Sequence, residues 1–268
     1  MRLVLIVEDH AHALAAQVLA DRVLVECGPD WIGAETIDDL RQWSGLPPNT
    51  DRTRWTELDA LSKLHRLRIH GRSAGPDYLA ARKVLELARL MNADAPITAL
   101  LLLRDLDNQP ERRVGIQAAV QESDGALPFA VIVGTANPEA EAWLLNGFVP
   151  QDGRETALLE QLCRELSLDP VRAPDRLRGD RRRVGKDGQR DIKAVVNRLI
   201  AGDSARLHRC LTDTPLALLA ERGTTSGLCA FLFDLHAHLL PCFDPSPATE
   251  CAALGEVRQW PAGAAQTR

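Results

Sequence analysis

The chain lacks any long hydrophobic run. Its apolar stretches, such as Leu3-Val-Leu-Ile-Val7 and Ala99-Leu-Leu-Leu-Leu103, fall far short of the roughly 18 to 20 residues that a membrane-spanning helix needs. No secretory leader is expected, since a single Arg2 precedes the first run and that run ends in Glu8-Asp9-His10 rather than in small residues. The expected compartment is the cytoplasm, with no membrane contact. Close cysteine pairs are absent as well: Cys27, Cys163, Cys210, Cys229, Cys242 and Cys251 are scattered. A chain of 268 residues can bury a core without covalent staples, so reduced thiols serving as small buried hydrophobes are expected.

Lysine is scarce, occurring only at 63, 83, 186 and 193, so the positive charge is mostly arginine, which suits phosphate recognition. The net charge of -5 excludes a uniformly basic nucleic-acid binder. No nucleotide-binding loop is present. Gly179-Asp-Arg-Arg-Arg-Val-Gly185-Lys186 has five residues between its glycines and neither Ser nor Thr after the lysine. No internal repeat is visible.

What remains is the balance of a folded soluble chain, 45% hydrophobic and 26% charged. Arg2–Val7 reads as a strand buried on both faces. A helix over 11–21 and a second short strand over 22–27, ended by Gly28-Pro29, complete the start of a β-α-β pattern. An inserted segment at about 30–75 holds Trp31, Trp43 and Trp55 and the breaker Pro47-Pro48-Asn49-Thr50-Asp51. Beyond it come a helix up to Met91, a strand over 97–103, a helix over about 110–122, a strand over 129–133 and helices from Glu139 and over 154–166. This alternation predicts an α/β fold, a mostly parallel Rossmann-like sheet with helices on both faces. Three regions are expected: a domain over 1–166, a basic linker or arm over 167–190, and a helical C-terminal region over 191–268 with a loosely held tail. The arm carries Arg172, Arg176, Arg178, Arg181, Arg182, Arg183, Lys186 and Arg190. Of these, Arg176, Arg178, Arg181, Arg182, Arg183 and Lys186 are the candidate contacts to a nucleic-acid backbone.

In an open parallel sheet, ligands bind beyond the carboxyl ends of the strands. Three strand ends are acidic here: Glu8 and Asp9, then Asp105 and Asp107, then Glu139 and Glu141. Carboxylates gathered at one edge repel one another unless a cation neutralises them, and an all-oxygen donor set favours Mg²⁺ or Mn²⁺ over Zn²⁺. Glu139 reads instead as an acid placed against a helix dipole. His10-Ala-His12 and His236-Ala-His238 have the spacing of some metal sites, but side chains two apart on a helix diverge, so both read as structural. Trp143 reads as core.

Glu8 at the end of the first strand, Asp105-Leu-Asp107 at the end of a later one and Glu141-Ala-Trp-Leu-Leu145 after the next together resemble the Toprim fold. The likeness is to small stand-alone bacterial Toprim proteins related to the nuclease half of overcoming-lysogenization-defect proteins, and it covers residues 1 to about 150. The resemblance implies a Toprim-like catalytic domain acting as an Mg²⁺- or Mn²⁺-dependent nuclease on DNA or RNA, with a role in defence against phage or mobile DNA. It implies acid-base chemistry or metal binding at Glu8, metal binding at Asp105 and Asp107, and Glu141 as the later acid. Where the family has glycine after the first glutamate this chain has Asp9, and where it has an acid four residues beyond that glutamate this chain has His12. Asp9 is a substitute candidate ligand. Any partner ATPase must be a separate subunit.

Two other readings compete. Loss of the glycine and the acid fits a catalytically degenerate Toprim module that only binds a partner or nucleic acid. Ile6-Val-Glu-Asp9 with Asp105 and Thr135 resembles a signalling receiver, but no lysine lies between Lys83 and Lys186 to contact a phosphate.

Overall fold

A computed structural model describes residues 1–69, 74–123, 125–178, 190–245 and 251–255. The elements in chain order begin with β1 (Arg2–Val7), α1 (His10–Cys27), α2 (Ile37–Leu40), β2 (Gln42–Ser44), β3 (Thr53–Arg54), a 3₁₀ turn (Trp55–Glu57) and α3 (Leu58–Leu64). They continue with α4 (Tyr78–Met91), β4 (Ala99–Asp105), α5 (Glu111–Ser123), β5 (Ala130–Ala136), α6 (Glu141–Asn146) and α7 (Gly153–Leu166). The C-terminal region contributes α8 (Ile192–Ile200), α9 (Ser204–Thr212), α10 (Leu216–Arg222), α11 (Leu228–Asp234), a π-helical turn (Leu235–Leu239) and α12 (Leu240–Phe243).

The five strands form one parallel sheet in the order β2-β1-β4-β5, with β3 pairing further along β1. Leu3, Leu5, Leu101 and Leu103 project into one core, and Val4, Ile6, Leu100 and Leu102 into the other. The alternation is the two-residue period of a strand. Because every one of these side chains is fully buried, the strands read as unbroken apolar runs, as central parallel strands do. The chain is therefore α/β with helices on both faces, as the sequence pattern predicts. One face is covered by α4 and α5, the other by α1, α6 and the C-terminal helices.

Gly134 in β5 makes the second layer fit. A Cβ there would lie 2.9 Å from Phe231 and 3.1 Å from Trp143, and those two rings stack with centroids 5.0 Å apart. Trp143 is fully buried, as expected of a core residue. Asp234 of α11 accepts the backbone N–H of Val133 at 2.6 Å, occupying a donor on an edge strand that would otherwise invite pairing.

Three sequence expectations are corrected. Residues 22–27 continue α1 instead of forming a strand. Ala16, Leu19, Ala20, Val23 and Leu24 are all fully buried at helical spacing, and this packing outweighs the strand preference of the Val23-Leu24-Val25 run. The segment over 30–75 is more than an appendage, because it supplies β2 and β3, which extend the sheet beyond β1. The thiols are not all reduced: Cys27, at the end of α1, is disulfide-bonded to Cys251, 224 residues away. Sequence spacing gives no sign of a bridge that distant. Its consequence is that residues 251–255, part of the tail expected to be loose, are anchored, with Leu254 buried.

Leu24→Ala is expected to lower the unfolding free energy by about 2–4 kcal/mol in urea melts, as for other fully buried leucines. Glu26→Ala in the same turn should change it by less than about 1 kcal/mol.

Candidate functional site

The register aligns the carboxyl ends of β1, β4 and β5, with Ile6 opposite Leu102 and Asp105 opposite Ala136. Glu8 leaves β1 directly beside β4, and its Oε1 accepts the backbone N–H of Asp105 at 3.1 Å. The backbone N–H groups of Leu106 and Asp107 donate to Ala136 and Pro138 at 2.8 and 2.9 Å. Asp107 and Asn108 both have left-handed backbone, with φ 49 and 58, a conformation that Asp and Asn tolerate better than most residues. This double left-handed turn places Asp107 in solvent while Asp105 stays buried.

Asp9 is the N-cap of α1, its Oδ1 accepting the His12 N–H at 3.1 Å. Its φ of -148 is extended, so no glycine is required at this turn. His12 sits one helical turn in, 1% exposed, with Nδ1 3.1 Å from Asp9 Oδ1 and Nε2 2.9 Å from Asp105 Oδ1. Burial alone would drive the imidazole neutral, but the bonds to Asp105 and Asp9 outweigh it and push its pKa up to about 10. The same bond from His12 holds the Asp9 carboxyl well below the ordinary carboxylate range. His12 is thus an imidazolium clamped between two carboxylates.

Other cations complete the arrangement. Arg104 places Nη1 3.0 Å from Glu8 Oε1 and Nε 3.0 Å from Asp77 Oδ2, its guanidinium lying over the Trp55 ring. Arg112 donates to Asp107 Oδ2 at 2.7 Å and to the Asp105 carbonyl at 2.9 Å. Lys193 of α8 is 2.6 Å from Glu139 and 3.7 Å from Glu141. Glu139 is therefore a buried member of the acidic group, not an acid set against the dipole of α6. Burial raises the pKa of Glu8, Glu139 and Glu141, and neighbouring carboxylates, Asp105 among them, add to the effect in each case. Glu8, Asp9, Asp77, Asp105, Asp107, Glu139 and Glu141 still outnumber His12, Arg104, Arg112, Arg113 and Lys193. The edge keeps a net negative charge.

Among the described residues, no group of three or more His, Cys, Asp or Glu side chains forms a ready-made ion site. Mg²⁺ asks for less, commonly one or two carboxylates with water and substrate phosphate. Asp105 spends Oδ1 on His12 and Asp107 spends Oδ2 on Arg112; the second oxygen of each accepts no hydrogen bond among the described residues. Each therefore keeps one carboxylate oxygen open to a hard cation. Asp9 likewise bonds His12 through Oδ1, and His12 itself brings positive charge where the resemblance implies an acid.

Arg176 and Arg178 lie within the arm. Its base is tied to the site because Asn108 donates to the Asp175 carbonyl at 3.3 Å and Thr225 to the Asp175 carboxylate at 2.6 Å. Arg178 donates its backbone N–H to Arg190 at 2.9 Å and accepts from Ile192 at 3.0 Å, so the two ends of the basic segment meet close to Lys193. Arg181, Arg182, Arg183 and Lys186 lie outside the described residues. Sequence reasoning missed Asp77, Arg104, Arg112 and Lys193, whose only signal was charge next to strand or helix ends. Comparison with protein-family models, curated proteins and solved structures finds no match.

The clamp has a pH signature. His12 has a folded-state pKa of about 10, above its ordinary value of 6.5. Its contribution to stability is complete below about pH 6.5 and is lost as pH rises toward 10. His12→Leu should cost roughly 2–4 kcal/mol at neutral pH, since it strands Asp105, and urea melts at increasing pH should show the gap to wild type narrowing. Lys193→Met should likewise destabilise by about 2 kcal/mol by leaving Glu139 unpaired, and Glu139→Gln in the same chain should recover most of that loss.

Proposed function

We propose that the protein is a metal-dependent nuclease of the Toprim type, hydrolysing phosphodiester bonds in DNA or RNA. The observation that carries this reading is the convergence of Glu8, Asp105, Asp107, Glu139 and Glu141 at the carboxyl edge of three neighbouring parallel strands, with net negative charge left over. Asp105 and Asp107 would hold Mg²⁺ or Mn²⁺, which when bound supplies charge stabilisation at the non-bridging phosphate oxygens and an activated water. Glu8, half-buried and raised in pKa, moves the proton. Glu141, with Glu139 and Lys193, orients the β5 side of the site. Asp105 is in turn fixed by His12, a positioning residue.

Arg176, Arg178, Arg181, Arg182, Arg183 and Lys186 contact the backbone of the substrate, a sequence-independent and salt-sensitive contribution. The family role in defence against phage or mobile DNA, beside a separate ATPase, belongs to the same proposal.

The clamp at His12 favours a second reading, a binding module without catalysis, because an imidazolium supplies from within the protein positive charge that an ion would otherwise bring. Purified protein incubated with supercoiled plasmid, single-stranded DNA and RNA separates the two. Nicking that requires Mg²⁺ or Mn²⁺, and that falls at least 100-fold in an Asp105→Ala, Asp107→Ala variant, is the expected result. Binding that survives chelation, without cleavage under any metal, would establish the module instead.

A further inference from the structure

Arginines buried without a carboxylate partner are normally saturated by carbonyls, and this chain contains an example. Arg2 donates to Ser44 Oγ and to the carbonyls of Ala95, Gly45 and Leu46. Arg113, in the first turn of α5, differs. Its Nε donates to Thr135 Oγ1 at 2.7 Å and its Nη2 reaches the Thr135 carbonyl only at 3.4 Å. Its Nη1 has no acceptor among the described residues. That nitrogen is not among the buried side-chain atoms lacking a partner, so it reaches solvent.

Both neighbouring arginines at this edge are ion-paired, Arg104 with Glu8 and Asp77 and Arg112 with Asp107. Arg113 pairs with no carboxylate among the described residues, and burial alone lowers its affinity for a proton. A partly buried guanidinium without a counter-charge is costly, and the cost is offset when an anion arrives. The seat is built. Gly227, at φ 86, lies so close that a Cβ would come within 2.0 Å of the Thr135 carbonyl and 2.7 Å of Arg113 Nη2. Two residues beyond Thr135, Asn137 donates its backbone N–H to the Ser226 carbonyl at 2.9 Å, which holds the Gly227 turn against this strand end.

The position matches the substrate. Thr135 is in register with Arg104, one residue before the Asp105–Ala136 pair, at the edge where parallel sheets bind ligands.

We infer that Arg113, seated on Thr135 beside Gly227, is a phosphate-binding residue that holds a backbone phosphate of a nucleic-acid strand on the β5 side of the carboxylate edge. The inference rests on the proposed function for the identity of the ligand, and its test is independent of cleavage. Wild type, Arg113→Gln and Arg113→Lys are compared in chelator, by the thermal shift with inorganic phosphate and by the affinity for an oligothymidylate across a salt series.

Phosphate should raise the wild-type Tm and leave that of Arg113→Gln unmoved. The salt slope of oligonucleotide binding should fall by about 0.7 in Arg113→Gln, the value for one contact to a single strand. Arg113→Lys, keeping the charge without the fork, should retain most of the slope and part of the affinity. A wild type indifferent to phosphate, or an Arg113→Gln variant with unchanged slope, overturns the inference and leaves the nuclease proposal standing. Binding that depends on Arg113 in a protein that never cleaves supports the inference and defeats the nuclease.

Discussion

Like charge gathered at one edge of a parallel sheet is the constraint on which this structure turns. The register of β1, β4 and β5 brings the acids after each strand into one neighbourhood, and burial raises the energy of leaving them ionised. The chain meets this with its own cations, each delivered by a different element: His12 by α1, Arg104 by β4, Arg112 by α5 and Lys193 by α8. Every helix that supplies a cation is thereby also tied to the sheet edge. Compensation is partial, and formal negative charge is left over at the edge.

The rest of the fold can be understood as support for that edge. Leucines and valines buried on both faces fix the strands laterally, and Trp55 donates to the Leu103 carbonyl at 2.6 Å, just ahead of Arg104 and Asp105. The Trp143–Phe231 stack seats α6 and α11 on β5, which fixes where Glu139 and Glu141 emerge. The Cys27–Cys251 bridge closes the far end of α1, the helix whose first turn carries Asp9 and His12.

Much of this was legible in the sequence for simple reasons. Runs such as Ala99–Leu103 have one physical explanation in a short soluble chain, a central parallel strand, and acids immediately after such runs fall at the ligand-binding edge. Glu8, Asp105, Asp107 and Glu141 were found this way. What stayed hidden was contact across long separations. His12 and Asp105 are 93 residues apart and Lys193 reaches Glu139 from beyond the arm, and nothing in local spacing encodes either pair. Arg22–Cys27 misled because its Val-Leu-Val core has strand character, while its neighbours upstream set a helical burial pattern that only the packed structure reveals. The bridge between Cys27 and Cys251 follows from the meeting of two distant segments.

The proposed nuclease needs this edge, with Asp105 clamped by His12, to accept a single hard cation at Asp105 and Asp107. Crystals grown with Mn²⁺ and a short oligonucleotide would test it by anomalous scattering. The account expects one manganese peak within coordination distance of Asp105 and Asp107, with His12 still bonded to Asp105. A second ion at His12, or a full-occupancy ion elsewhere with this pair empty, would contradict it.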